Sequence, residues 1–267
     1  MAFVLLGTDG GLLAASLVCD ECFLSSAERI DVVLDLSGSR IGDTVVLETR
    51  AFDPMHFDTP PAPGTTAMEH AHAHAIGIPA AASTCPGADP APWPEGAPRR
   101  LLTLRVRERT ASRAKVPARL SALGPATAVG ANERAFRLGF AKGSWRINDR
   151  VFAMNEAPIV VARDARETWL LRNYHTSMPH AMHLHGFPFR VLERETTPDA
   201  LSPLAVDAAG RFATDLGWKD TVQVWPGESV RIAIDFRHPF PGTQHWMFHC
   251  HNLEHEDGGM MLRMRVG

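Results

Sequence analysis

Short apolar or alternating runs recur along the chain and are separated by turn-forming residues. Examples are RIDVVLDL, TVVLETRAF, ETWLLRN and SVRIAIDF, and the 21 glycines and 20 prolines fall largely between such runs. Alternation with a period of two is typical of strands, and few stretches show the 3.6-residue period of a helix. The pattern therefore predicts an all-β protein built of antiparallel sandwiches.

The density of predicted strands divides the chain into two regions. Residues 1–108 hold the first strands and enclose a Pro-, Ala- and Gly-rich stretch without periodicity at 53–99, which is predicted to be a long loop. Residues 109–128 read as a linker because they are rich in Pro, Ala, Ser and Arg. Residues 129–267 have more strands and carry two histidine motifs.

Composition excludes several classes of function. The chain has 267 residues, 45% of them hydrophobic, and a formal net charge of −3 without a dense basic run, which argues against nucleic-acid or polybasic membrane binding. No apolar run approaches the length of a bilayer span. The N-terminal residues MAFVLLGTDGGLLAAS lack a basic region before the apolar run, so they predict a strand and a glycine turn rather than a signal peptide.

The motif histidines lie in HAMHLHG, residues 180–186, and HCHNLEH, residues 249–255. Whether a residue number is even or odd predicts the strand face on which its side chain lies. Side chains in a strand alternate between its two faces. If both motifs are extended, His183 and His185 share one face, whereas His180 has the opposite parity. By the same argument Cys250 points away from the histidines on either side of it. One predicted group contains His180, Cys250, His255 and Met260, and the other contains His183, His185, His249 and His251.

The donor atoms of the two groups differ. Two imidazoles, one thiolate and a thioether suit a blue-copper electron-transfer site, whereas zinc more often takes Cys and His without Met. Four imidazoles suit further copper, or iron, nickel or zinc. A single histidine on an apolar strand is usually a core residue, but six at these spacings, in register with a cysteine and a methionine, favour metal sites.

These motifs resemble those of the multicopper oxidases. HAMHLHG is similar to the family's His-Pro-x-His-x-His-Gly, with Ala181 where proline is usual, and HCHNLEHEDGGMM is similar to its His-Cys-His-x₃-His-x₄-Met. WRINDRVFAMN resembles the opening of the family's last domain, and FVLLGTDGGLL and SSAERIDVVLDLS resemble the later part of its middle domain. The resemblance implies cupredoxin-like Greek-key sandwiches, the first of them incomplete: a partial middle domain at 1–108 and a C-terminal copper-binding domain at 129–267.

The resemblance also implies roles for the motif residues. Type 1 copper would be bound by His180, Cys250 and His255 with Met260 axial, type 2 copper by His183, and the type 3 pair by His185, His249 and His251. Glu256 matches a residue that supplies protons to the oxygen-reducing cluster, although a carboxylate that only hydrogen-bonds its loop remains an alternative.

A member of this family would take single electrons from phenols or metal ions and reduce dioxygen to water in the periplasm or outside the cell. The alternative from another class is a non-catalytic blue-copper carrier, which needs only the type 1 ligands. The trinuclear site of the family also takes ligands from two His-x-His motifs of a first domain, and no His-Trp-His-Gly-like stretch occurs here. The chain is then a fragment, or receives ligands from another chain or a symmetry mate, or has lost oxygen reduction.

Other residues offer weaker signals. His70, His72 and His74 alternate in the predicted loop and could replace missing ligands, collect copper at the periphery or have no role. Cys19 and Cys22 form a CxxC that we interpret as structural or incidental, since no second CxxC completes a zinc site. Cys85 is expected to be a free thiol. Trp218, Lys219 and Asp220 resemble a family segment and are read as structural.

Overall fold

A computed structural model describes residues 1–52, 97–110, 115–128, 130 and 133–267. The described part of the chain contains fifteen strands and one short α-helix. The strands are β1 Phe3–Thr8, β2 Gly11–Cys19, β3 Ile30–Val33, β4 Thr44–Glu48, β5 Arg100–Arg105, β6 Glu133–Ala141, β7 Ser144–Ile147, β8 Ile159–Val161, β9 Arg166–Asn173, β10 His180–Leu184, β11 Phe189–Glu195, β12 Thr221–Val224, β13 Ser229–Asp235, β14 Gln244–Cys250 and β15 Met261–Val266. Helix α1 is Leu253–Asp257, and two 3₁₀ turns span Ser202–Leu204 and Ala213–Leu216.

The described residues pack as two compact units. The first combines 1–35 with 115–267, and the second is 36–114, in which β4 and β5 form an antiparallel pair. These units follow from packing, whereas the expected cupredoxin domains follow from the sequence pattern. The predicted domain boundaries at residues 108 and 128 therefore stay predictions. Most of the predicted 53–99 loop, with His70, His72, His74 and Cys85, lies outside the described residues.

Two five-stranded sheets form a sandwich in the first unit. Their strand orders are β12-β10-β14-β15-β8 and β11-β13-β9-β6-β7. Trp169 and Phe136 of one sheet meet Phe248 of the other, with ring centroids 5.3 and 5.1 Å apart. The all-β, cupredoxin-like prediction is confirmed. Most strand pairs are antiparallel, as expected, whereas β6 with β9 and β8 with β15 run parallel.

A third sheet, in the order β2-β1-β3, belongs to the same unit. Leu5 and Leu13 of this sheet are buried in one apolar cluster with Ala213. The turn between β1 and β2 lies against the backbone of Trp218, where the Gly10 amide donates to the Trp218 carbonyl at 2.9 Å. A Cβ at Gly10 would lie 2.5 Å from the Cβ of Trp218, so this contact requires glycine.

None of the helices in the described residues is long and apolar enough to cross a membrane.

Candidate metal centres

The first candidate centre lies where two neighbouring strands bring their ends together. His180 begins β10, Cys250 ends β14, and His255 lies in α1, which follows β14 after two residues. The Cys250 Sγ atom is 3.5 Å from the His255 Nδ1 atom and 3.8 Å from the His180 Nδ1 atom, and the two Nδ1 atoms are 3.0 Å apart. The three side chains therefore present their donor atoms to one point.

We call the predicted set His180, Cys250, His255 and Met260 the thiolate group, and two backbone hydrogen bonds hold Met260 next to His255 and Cys250. The Met260 amide donates to the His255 carbonyl at 2.9 Å, and its carbonyl accepts from the Cys250 amide at 3.0 Å. His180, Cys250 and Met260 are all 0% exposed and His255 is 2% exposed. The members lie in or beside the core between the two sheets, because Cys250 shares a face with Met182 and Phe248, which are core residues.

Burial keeps the imidazoles and the thiol of the thiolate group uncharged in the metal-free protein. It lowers the pKa of His180 well below its usual value and that of His255 to about 4. Burial also raises the pKa of the Cys250 thiol to about 12. Neutral imidazoles have free lone pairs for a metal, whereas the thiol must release its proton when a metal binds.

A pH prediction follows from the lowered pKa of His255. Between about pH 6.5 and pH 4 the unfolded chain binds a proton at this residue and the folded chain does not, so the metal-free protein loses stability as pH falls. Between pH 7 and pH 4.5, the unfolding free energy of His255→Gln should fall by about 2–3 kcal/mol less than that of wild type. Urea unfolding at a series of pH values measures this difference. His175→Gln, at an exposed histidine, is the control, and equal slopes in wild type and His255→Gln would contradict the prediction.

Two contacts that hold His180 have no signature in the sequence pattern. Ser177 is buried, and its Oγ lies 2.9 Å from the His180 Nε2 atom. The Asn252 amide nitrogen donates to the Pro179 carbonyl at 2.9 Å and so ties the segment after Cys250 to the residue before His180. With Nε2 bonded to Ser177, the His180 Nδ1 atom is left to face Cys250 and His255.

Trp145 covers the imidazole of His255. Its ring centroid is 4.0 Å from that of His255, with 34° between the ring planes, and 5.4 Å from that of His180. The indole is half-buried, whereas both histidines are buried, so it separates the thiolate group from solvent on this side. The sequence pattern had not marked Trp145 as a site residue.

The second candidate centre, the imidazole group, occupies the opposite face of β10 and β14. His183 and His249 are cross-strand partners, and together with His185 they present ligand atoms within 4.8 Å of one another. The His185 and His249 Nε2 atoms are 3.0 Å apart. His251 is exposed, and its ring lies 5.4 Å from that of His249 and 5.6 Å from that of His183. The structure thus gathers three predicted members tightly and places the fourth beside them.

Hydrogen bonds orient the imidazole group. His183 Nδ1 lies 2.9 Å from Thr221 Oγ1 and 3.0 Å from the Asp220 carbonyl oxygen. His249 Nδ1 lies 3.0 Å from the carbonyl oxygen of Cys250. Burial lowers the pKa of His185 to about 4. With Nδ1 of His183 and His249 bound to oxygen acceptors, their Nε2 atoms are free for a metal.

Glu256 lies at the edge of the imidazole group. Its Oε2 atom is 3.5 Å from His249 Nδ1, and its side chain is 34% exposed. The carboxylate therefore has contact with both solvent and the imidazole group.

The cysteines of the CxxC belong to neither group. Cys19 and Cys22 are free thiols of intermediate burial, and burial raises the pKa of Cys22 to about 11. Both thiols are therefore protonated near neutral pH.

Comparison with known proteins relates the chain to copper enzymes. The sequence profile described as Multicopper oxidase matches residues 123–267. A laccase of Haloferax volcanii is 40% identical over 116 residues, which cover 43% of this chain and 18% of that protein. A laccase of Bacillus subtilis is 28% identical over 273 residues, covering 99% of this chain and 46% of that protein.

A solved structure is similar to this chain along its whole length. The crystal structure of a multicopper oxidase from Aquifex aeolicus superposes with a TM-score of 0.75 at 28% identity, covering 100% of this chain and 50% of that one. The chain thus spans about half or less of the length of these relatives. The profile match covers more than half of the chain, and the chain belongs to the multicopper oxidase family, whose members use copper, dioxygen and a reducing substrate.

Proposed function

We propose that this chain carries the electron-accepting copper and part of the oxygen-reducing copper set of a laccase-like multicopper oxidase. In this function, phenols or metal ions are oxidised by single electrons and dioxygen is reduced to water. The observation that carries the proposal is the division of neighbouring residues between two groups. Cys250 belongs to the thiolate group, and His249, bonded directly to it, belongs to the imidazole group.

The donor set of the thiolate group fits copper. His180, Cys250, His255 and Met260 would hold a type 1 copper, and this set favours copper over zinc because it includes a thioether. His183 would be a type 2 ligand, and His185, His249 and His251 would be type 3 ligands. Bound copper supplies one-electron redox chemistry at both places.

The chain itself supplies the connection between the two groups. Cys250 is covalently joined through the backbone to His249 on one side and His251 on the other. The His249 Nδ1 atom also bonds the Cys250 carbonyl, which gives a second, hydrogen-bonded link. These links would give electrons a short path from a metal held by Cys250 to metals held by His249 and His251.

Glu256 is proposed to supply protons. Reduction of dioxygen to water consumes one proton for each electron, so the imidazole group needs a proton donor with access to solvent. The Glu256 carboxyl meets both needs, because it is partly exposed and lies 3.5 Å from His249.

Four imidazoles supply too few donors for three coppers. Residues outside the imidazole group, in the same chain or a second one, are therefore proposed to complete the oxygen-reducing set. A periplasmic or extracellular location is proposed by analogy with the family.

The proposed function is tested by following oxidation of the donor and reduction of oxygen one after the other. The copper-loaded chain is reduced with hydroquinone without oxygen and then mixed with oxygenated buffer, while the blue absorption is followed. We expect hydroquinone to bleach the band and oxygen to restore it. His249→Ala should leave bleaching unchanged and slow recovery about tenfold or more. Absence of bleaching would contradict donor oxidation, and equal recovery in both proteins would indicate a copper carrier instead.

Ser177→Ala tests the support of His180. Loss of the hydroxyl leaves His180 Nε2 without its partner and frees the ring to rotate. We expect the affinity of the thiolate group for Cu²⁺ to fall about tenfold, measured by competition with a chelator. Ser202→Ala, at a serine outside both metal groups, is the control. Equal affinity in wild type and Ser177→Ala would show that packing alone orients His180.

A further inference from the structure

We propose that Arg29 is a positioning residue for the imidazole of His183, acting through Asp220 and Thr221. The proposal rests on one part of the proposed function, namely that His183 binds a metal. It gives a role at a metal centre to a residue that lies 191 positions away from Asp220 and outside the sandwich.

The arrangement begins at the ring of His183. Its Nδ1 atom faces two oxygens, Thr221 Oγ1 at 2.9 Å and the Asp220 carbonyl oxygen at 3.0 Å. The Asp220 carbonyl can only accept a hydrogen bond, so it favours the Nδ1–H form of the neutral ring, and the Thr221 contact adds to this preference only if its oxygen also accepts. The Nε2 atom then keeps its lone pair for a metal.

Asp220 determines how the Thr221 hydroxyl is used. Thr221 Oγ1 donates to Asp220 Oδ1 at 3.0 Å. A hydroxyl that gives its single hydrogen to a carboxylate turns a lone pair toward its other neighbour, which here is His183 Nδ1. The carboxylate therefore favours one direction for the chain of hydrogen bonds: His183 to Thr221 to Asp220.

Arg29 holds that carboxylate by both oxygens. Its Nη1 donates to Asp220 Oδ1 at 2.7 Å and its Nη2 to Oδ2 at 2.6 Å. A bidentate pair fixes the carboxylate plane as well as its position. Without Arg29, Asp220 is free to rotate and the Thr221 hydroxyl loses its directed acceptor.

Arg29 is itself fixed although its side chain is 53% exposed. Its Nη1 donates to the Ala27 carbonyl at 2.7 Å and its Nη2 to the Asp9 carbonyl at 3.0 Å. The adjacent residues form a second pair, since Lys219 Nζ is 2.6 Å from Glu28 Oε1 and both side chains are almost fully buried. Two neighbouring ion pairs thus hold the residues around β3 against the strand that faces His183.

The first test is made on the metal-free chain. A long-range ¹H–¹⁵N NMR spectrum reports which ring nitrogen carries the proton, and the signals of His183 are identified by their loss in His183→Gln. We expect the Nδ1–H form in wild type and a mixture of both forms in Arg29→Gln. Arg137→Gln, which breaks the exposed Arg137–Asp149 pair, is the matched control and should resemble wild type. A wild-type tautomer in Arg29→Gln would overturn the proposal.

Two further variants exclude a general structural effect. Asp220→Asn keeps the side-chain shape and removes the carboxylate, so it should shift the tautomer as Arg29→Gln does. Arg29→Lys keeps the charge but not the bidentate geometry, and should restore the Nδ1–H form only in part. Full restoration by lysine would show that charge alone acts and would overturn the positioning role.

The second test uses Cu²⁺ with the thiolate group as an internal reference. Arg29→Gln should weaken binding at the imidazole group about 10- to 100-fold and leave the Cys250-dependent absorption unchanged. Loss at both groups together would indicate a general effect on folding and overturn the proposal. The tautomer measurement needs no copper, so a failure of the proposed function is distinguishable from a failure of the Arg29 proposal.

Discussion

Replacement of Cys250 by serine is expected to remove all intense visible absorption from the copper-loaded chain. The Cys250 Sγ atom is the only thiol sulfur of the thiolate group, and it lies within 3.8 Å of both imidazole Nδ1 atoms. A serine hydroxyl is not ionised near neutral pH and is a poor ligand for copper. We expect affinity at this group to fall by orders of magnitude, while the imidazole group still binds Cu²⁺ because none of its donors has changed.

The matched control for this prediction is Cys19→Ser. Cys19 is a partly buried free thiol outside both metal groups, so its replacement should leave the absorption unchanged. Absorption titrated with Cu²⁺ and the electron paramagnetic resonance spectrum are the measurements. A blue Cys250→Ser protein, or loss of colour in Cys19→Ser, would contradict the assignment. Copper uptake by wild type should also release a proton, because the pKa of Cys250 is raised to about 12 in the metal-free chain.

Arg194→Met is expected to produce the largest loss of stability. The Arg194 guanidinium is 1% exposed and lies between two buried carboxylates, 2.6 Å from Asp215 and 3.2 Å from Glu228. Burial alone would lower the pKa of Arg194, but the two carboxylates outweigh it and raise the pKa. Removal of the cation leaves both carboxylates buried without their partner, which costs about 3–5 kcal/mol.

Urea unfolding of the metal-free protein at pH 7 measures this loss. Arg150→Gln is the control, because the Arg150–Glu156 pair has more than half of both side chains exposed, and exposed pairs contribute little. An unfolding free energy for Arg194→Met within 1 kcal/mol of wild type would show that the buried pairs do not stabilise the fold.

The sequence was sufficient to predict how Cys250 and the motif histidines divide between the faces of the strands. The period-two alternation of strands alone separates His180 from His183, and Cys250 from its two neighbours. This argument worked because β10 and β14 are regular and adjacent. Residues that share a face within each strand therefore also share a face of the sheet with their cross-strand partners.

The supporting contacts could not be predicted in the same way. Ser177 lies in a loop whose conformation no periodicity specifies, and Arg29 meets Asp220 only because the β1–β3 sheet packs near β12. The family resemblance predicts only a structural role for Trp218, Lys219 and Asp220. The structure adds that Lys219 is buried between Glu28 and Asp9, and that Asp220 borders His183.

The most direct test of the central claim is an anomalous difference map from crystals of the copper-loaded chain, recorded at the copper absorption edge. The account predicts one peak enclosed by His180, Cys250 and His255, and separate density beside His183, His185 and His249. A single peak shared by Cys250 and His249, or no peak next to Cys250, would contradict the division of these neighbouring residues between two metal centres.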